Sequence, residues 1–295
     1  MQPATGLKSV QRVFPRPPTH MVGDGFEVRT LFSYEAMAEE WSPFLLLDRG
    51  GPMALSPADQ RRGVGEHPHR GFETVTIIYD GVIEHRDSAG NSGVIGPGDV
   101  QWMTAGSGVV HEEMHEREFA RHGGTLDIVQ LWVNLPRAHK LTPPRYQTLV
   151  KAQIPVVALP GGGKLRVIAG EALGARGPAH TFTPMTVCDA TLPAGTRAEL
   201  QATDGHTALV VLLRGAAEVN GARLRPAEFA LLARHGDRLN VTAQEDSAVL
   251  YLAGEPIPEP VYGYGPFVMN EQEEIATAVR DYRSGKMGHL APASA

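Results

Sequence analysis

The run "FETVTIIYDGVIEHRD" (72–87) constrains the fold more than any other stretch of the chain. Val75, Ile77 and Tyr79 fall on one side of an extended backbone, and Thr74, Thr76 and Ile78 on the other. Gly81 closes that strand with a turn, and "VIEHRD" (82–87) returns as its hairpin partner. The same grammar continues downstream. "SAGNSG" (88–93) reads as a loop, and "VIGPGDVQWMTAGSGVVHEEM" (94–114) as three strands separated by a Pro-Gly-Asp turn and a Gly-rich turn. "TLDIVQLWVNL" (125–135) is a longer, nearly continuous β run. Short strands at this spacing, with no helix between them, predict a sandwich or barrel of antiparallel strands.

The Pro-rich stretch 136–160 reads as a connection between domains, after which the β pattern returns from residue 164. "YDGVIEHRDSAGNSGVIGPGDV" in the first half has a loose echo in "LRGAAEVNGARLRPAEFALL" in the second. Each is a strand, a Gly turn, a strand, a short loop and a Pro-led turn before an apolar strand, so two related β domains are expected. The tail differs. In "NEQEEIATAVRDYRSG" (270–285), Ile275, Ala278, Val279 and Tyr282 share one helical stripe. Asn270 is the expected cap, Glu273 the expected capping-box partner and Gly285 the stop.

Composition narrows the function classes. Lys and Arg number 27 against 33 Asp and Glu, a net charge of −6, so direct nucleic-acid binding is not expected. Cys188 is the only cysteine, which excludes an intramolecular disulfide and a cysteine-rich zinc site. No apolar run has the length of a signal peptide or of a membrane span. A cytoplasmic protein without membrane contact is the expectation.

Chemistry concentrates in "GEHPHRGFE" (65–73) and "GVVHEEM" (108–114). On a strand, His67 and His69 point the same way, as do His111 and Glu113. Two such strands meeting would offer three neutral nitrogens and one carboxylate, a donor set that suits Fe, Ni, Cu, Mn or Zn. A lone His-x-His in a Gly/Pro-rich loop is usually only solvated; the second pair on a second strand is what raises a metal. Glu73 is a rival carboxylate four residues after His69, although Gly71 could change the register between them. Glu112 should face away from His111, and His115 continues the His111 face as a bystander.

With "HPHRGFETVT", "HRDSAGNSGVIGPGDVQWMTAGSGVVHEEM", "VQLWVNLP", "AGEALG", "LAGEPIPEPV" and "GPFVMN", the chain resembles the pirin family of bicupins from about residue 20 to 288. The resemblance implies an all-β fold of two stacked cupin-type antiparallel barrels with a C-terminal helix. Residues 1–140 would form the N-terminal cupin barrel with the metal, and 141–295 a C-terminal barrel without one, ending in the helix. It implies one iron held by His67, His69, His111 and Glu113, with Zn, Ni, Mn or Cu as products of misloading. The carboxylate would come from Glu113 rather than Glu73. His206 stands alone in the second half and reads as structural or surface-exposed.

Two activities follow from that resemblance. One is a quercetin 2,3-dioxygenase-like enzyme, with a small aromatic flavonol and O₂ as substrates. Its 3-hydroxyl and 4-keto oxygens would meet the metal, and Glu113 would loosen to take the hydroxyl proton before O₂ opens the ring with loss of CO. The other is a non-catalytic, iron-dependent redox regulator that binds a protein partner such as a transcription factor or a metabolic enzyme. Arg61, Arg62 and Arg70 would supply a basic patch for such a partner, although a solvated rim is the plainer reading of them. Phe72, Trp102 and Met103 are expected to be core residues rather than a substrate lining.

Overall fold

The computed structural model describes residues 6–291, and it is built almost entirely of antiparallel strands. Twelve strands matter for the site. In the first half these are β1 (Gly63–His69), β2 (Phe72–Asp80), β3 (Ile83–Asp87), β4 (Val100–Thr104), β5 (Val109–His115) and β6 (Gly124–Asn134). In the second half they are β7 (Arg197–Gln201), β8 (Thr207–Arg214), β9 (Ala217–Val219), β10 (Phe229–Leu232), β11 (Arg238–Ala243) and β12 (Ser247–Gly254).

Each half pairs a seven-stranded sheet with a four-stranded one. The larger sheet of the first half runs 145–149, β4, β2, β6, 44–55, 26–33, 20–22, and the smaller runs β1, β5, β3, 92–95. The larger sheet of the second half runs 10–14, β10, β8, β12, 185–192, 164–169, 156–158, and the smaller runs β7, β11, β9, 222–224. Strand for strand the orders coincide, so the loose echo in the sequence marks a real structural repeat. The sheets are open rather than closed into barrels, while the all-β bicupin class holds.

The division of the chain departs from a single cut near residue 140. One compact unit comprises the chain through Pro18, Glu39–Pro43 and Ala152–Pro256; the other comprises Thr19–Ala38, Phe44–Lys151 and the chain from Ile257 onward. The reason is packing at both ends. Strand 10–14 pairs with β10, and Phe14 stacks on Phe229 with ring centroids 5° from parallel and 4.6 Å apart. At the other end, the helix Gln272–Arg283 buries Ala278, and packs Ile275 and Val279, against Val110, Phe267 and Met287 of the first-half unit. The helix therefore belongs with the first-half unit, not the second. Its cap falls one residue later than the sequence suggests. Glu274, not Glu273, accepts from the Glu271 amide at 2.9 Å, and the Asn270 side chain is occupied by the Pro260 carbonyl. Among the described residues no helix is long and apolar enough to cross a membrane.

Local chemistry explains the strands that carry the site. β1 contains Pro68, which donates no backbone hydrogen bond, and it sits at the edge of its sheet, where that loss is tolerated. β2 is buried from Phe72 through Ile78, which its near-continuous apolar and threonine content permits. Gly71 joins the two with a φ of 87°, and a side chain there would run into the Val268 carbonyl. The buried ammonium of Lys140 fastens this turn, donating to the Gly71 carbonyl at 2.8 Å, to Asn134 Oδ1 at 2.7 Å and to the Val268 carbonyl at 2.9 Å.

Candidate metal centre

β1 and β5 pair directly, with His67 opposite His111 and His69 opposite Val109. The i/i+2 rule brings His69 beside His67, and the cross-strand register brings His111 to both. Ring centroids lie 4.2 Å apart for His67 and His111, and 4.8 Å apart for His67 with His69 and for His69 with His111. Among the described residues these three form one group whose candidate ligand atoms lie within 4.8 Å of one another.

Their environment favours neutral rings with lone pairs to spare. Burial pushes His69 and His111 well below the ordinary imidazole range, and the neighbouring histidines push the same way. His67 Nδ1 lies 2.8 Å from the Gly65 carbonyl, so that nitrogen carries the proton and Nε2 is left as the acceptor. His69 is held by a hydrogen bond to the Pro266 carbonyl, and its Nδ1 is buried without a partner. His111 Nε2 is likewise buried without a partner. A buried nitrogen left unpaired costs about 1–3 kcal/mol, and two sit in this one cluster. A divalent metal ion would satisfy both. The donor set fits such an ion, and the only thiol, Cys188, is buried in the other unit.

Glu113 shares the interior face with His111, but its carboxylate is tied elsewhere. Oε1 accepts from Thr76 Oγ1 at 2.9 Å and Oε2 from Gln130 Nε2 at 3.0 Å. It is not part of the three-histidine group. The carboxylate faces a narrow, mainly apolar cavity walled by Phe26, Val28, Ile83 and Ile128. Glu73 is also apart from the group. The break at Gly71 turns it away, Thr104 Oγ1 donates to it at 2.7 Å, and burial pushes its carboxyl up to about 7. Glu112 points out of the sheet and binds the Arg86 guanidinium through two nitrogens at 2.8 and 2.6 Å. His115 packs edge-on against Phe26, with Nε2 3.1 Å from the Gly25 carbonyl.

Two of the three arginines weighed as a basic patch, Arg61 and Arg70, are tied into ion pairs. Arg70 is buried, with Nε donating to the Ser107 carbonyl at 2.7 Å and Nη1 to Asp281 Oδ2 at 2.9 Å. Arg61 is paired with Glu84 at 2.6 Å. Phe72, Trp102 and Met103 are core residues, as their composition suggested. Phe72 also stacks obliquely on Trp132, and both rings flank His69 at 5.1 and 5.3 Å.

One residue of the centre escapes the motif. His85 is fully buried in β3, opposite Glu113, and its Nδ1 lies 3.3 Å from His111 Nδ1. The signal was present in the strand's alternation: Ile83, His85 and Asp87 share a face, and a histidine on a core-facing position needs a partner.

Comparison with known proteins bears on this geometry. The Pirin family model matches residues 25–133, and the Pirin C-terminal cupin domain model matches 187–288. The chain is 54% identical over 281 residues to a Pseudomonas aeruginosa protein named "Putative quercetin 2,3-dioxygenase PA2418", covering 95% of this chain and 98% of that one. It is 39% identical over 283 residues to a Caulobacter vibrioides protein named "Pirin-like protein", covering 95% and 99%. A crystal structure titled quercetin 2,3-dioxygenase from Acinetobacter baumannii superposes with a TM-score of 0.94 at 49% identity, covering 97% of this chain and 100% of that one. Two matched domains, a three-histidine cluster at the first of them and relatives that align end to end place this chain in the pirin family.

Proposed function

We propose that this protein is an iron-dependent dioxygenase that opens flavonols such as quercetin, with His67, His69, His111 and Glu113 as the iron ligands. The observation that carries the reading is the pair of buried, unpartnered nitrogens, His69 Nδ1 and His111 Nε2, gathered with His67. The names carried by close relatives support the substrate class. When bound, the ion would act as a Lewis acid on the flavonol's hydroxyl and keto oxygens.

The chain's own residues supply the rest. Burial and the neighbouring histidines favour the neutral form of His69 and His111. Glu113 accepts from two donors, Thr76 and Gln130, on the same face as His111. Released from either donor, its carboxylate takes the proton of the flavonol hydroxyl. Phe72 and Trp132 offer aromatic surface beside His69 and exclude water from it.

Anaerobic loading with ferrous ion, elemental analysis and a quercetin assay test the proposal together. One iron per chain is expected, with loss of the flavonol absorbance matched by O₂ uptake. Iron-loaded protein that consumes neither quercetin nor O₂ would overturn the catalytic reading. His67→Ala should abolish turnover while the melting temperature holds. A large fall in melting temperature would instead make the cluster a structural clamp.

A further inference from the structure

The deepest polar network in the first half begins where the ligand set ends. His85 Nδ1 receives two neighbours, Gln101 Nε2 at 3.0 Å and His111 Nδ1 at 3.3 Å. Its other nitrogen, Nε2, faces Asp87 Oδ2 at 3.3 Å. At its far end the Gln101 amide accepts from Tyr146 Oη through Oε1 at 3.3 Å. The amide nitrogen is the end that meets His85, and an amide nitrogen can only donate. Asp87 is immobilised by its own loop. Oδ1 accepts from the Ala89 and Asn91 amides, both at 2.9 Å, and Oδ2 from Asn91 Nδ2 at 2.9 Å.

With the amide nitrogen facing His85, the contacts order the protons along the network. Facing a donor, His85 Nδ1 presents its lone pair, so the ring carries its hydrogen on Nε2, where Asp87 accepts it. His111 Nδ1 then faces a lone pair and must be the protonated nitrogen. Its Nε2 is left as the acceptor, and that is the atom found buried without a partner in the three-histidine cluster. We propose that His85 is a positioning residue which, held by Asp87 and Gln101, fixes the Nδ1–H tautomer and the ring orientation of His111, so that His111 presents Nε2 to the metal. The inference rests on the reading that His111 is a ligand. It gives the buried His85 and Asp87 of the central motif a task that no ligand assignment contains. Partners that orient a ligating imidazole in this way are worth roughly 10–100-fold in metal affinity.

Two measurements test it, and the first needs no metal. In metal-free protein labelled with ¹⁵N-histidine, long-range ¹H–¹⁵N correlation should show His111 as the Nδ1–H tautomer. A dominant Nε2–H tautomer in the wild-type protein would overturn the proposal outright. The second is a chelator-competition titration with Co²⁺, whose visible spectrum also reports ligand geometry. His85→Leu should bind roughly 10–100-fold more weakly and lose the single tautomer. His85→Asn, whose side-chain oxygen can replace the Nδ1 acceptor, should recover most of both. Wild-type affinity in His85→Leu, or no recovery in His85→Asn, counts against the proposal. The wild-type tautomer spectrum and the His85→Asn variant decide the proposal even where the Leu variant loses stability through the partners it leaves unpaired. If the wild-type protein takes up no metal at all, the ligand reading fails, while the tautomer spectrum still decides the role of His85.

Discussion

The two halves of this molecule use one strand order to build opposite interiors. The hairpin glycines Gly81 and Gly215, at φ of 90° and 84°, mark the same turn in each, and strand pairing sets the other correspondences. Where the first half pairs His67 with His111, the second pairs Leu200 with Leu239. Where the first pairs His85 with Glu113, the second pairs Val219 with Val241. Thr76 with its neighbours Gln101 and Gln130 becomes Val210 with Ala230 and Tyr251. All seven second-half residues lie in one hydrophobic cluster. Each Val or Leu buried there contributes about 1.5–3 kcal/mol. Each polar group in the first half must instead be matched by a hydrogen bond or a ligand. One strand order thus carries either interior, and the difference lies in these seven positions together with His69.

The largest effect should come from making the first half resemble the second. His111→Leu installs the residue found at Leu239 and removes one of the unpartnered nitrogens. Metal uptake should fall from one ion per chain to none, read by elemental analysis after loading. The metal-free protein should meanwhile keep its stability within about 1 kcal/mol, because replacing an unsatisfied buried polar group by an apolar one of similar size is close to neutral. The reverse exchange is not neutral. Leu239→His buries an imidazole among Leu200, Val241 and Val219, none of which can accept a hydrogen bond from it. It should cost about 2–4 kcal/mol in a urea titration and should create no metal site, since no second ligand faces it.

A smaller effect separates the halves by pH. Glu73 lies eight residues before its hairpin glycine, and the same place in the second half is Thr207. Burial raises the Glu73 carboxyl from 4.5 to about 7. The folded state therefore holds a proton that the unfolded state has released. The stability this group contributes is fully present below about 4.5 and is lost as pH rises through about 7. Glu73→Gln should flatten that slope, gaining about 3 kcal/mol at pH 8 relative to the parent and nothing at pH 4. Denaturant midpoints measured across the range decide it, and an unchanged slope would mean that Glu73 is ionised throughout.

Much of this was legible in the sequence, and what was not has physical causes. The strands, the terminal helix and the repeat followed from alternation and glycine turns, because those signals are local. The gathering of His67, His69 and His111 followed from i/i+2 spacing on two strands. Two things were not local. Strand 10–14 and the helix 272–283 each pack on the half remote from them in sequence, and no period announces a long-range pairing. His85 sits in "VIEHRD", where a histidine on a strand has no signature until its neighbours on β4 and β5 are known. Comparing the two echoing segments would have exposed it, since only one of them places an imidazole where the other places Val219.

The smallest effect belongs to the outward faces, which the two halves share in character. Glu112, beside Glu113 on β5, binds Arg86, and the corresponding second-half contact joins the Asn240 amide to Asn220 Oδ1 at 2.7 Å. Both are polar, and both lie on the side of the strand opposite Glu113 and Val241. The Arg86–Glu112 pair is partly exposed, with 24% and 16% of the side-chain surface accessible, so screening limits what it contributes. Glu112→Gln should change stability by less than about 1 kcal/mol and leave metal affinity within twofold. That outcome, set against the loss expected for His111→Leu one residue away, would locate the difference between the halves on one face of one strand. An equal loss of metal in Glu112→Gln would mean instead that the strand as a whole, and not its inward side, shapes the site.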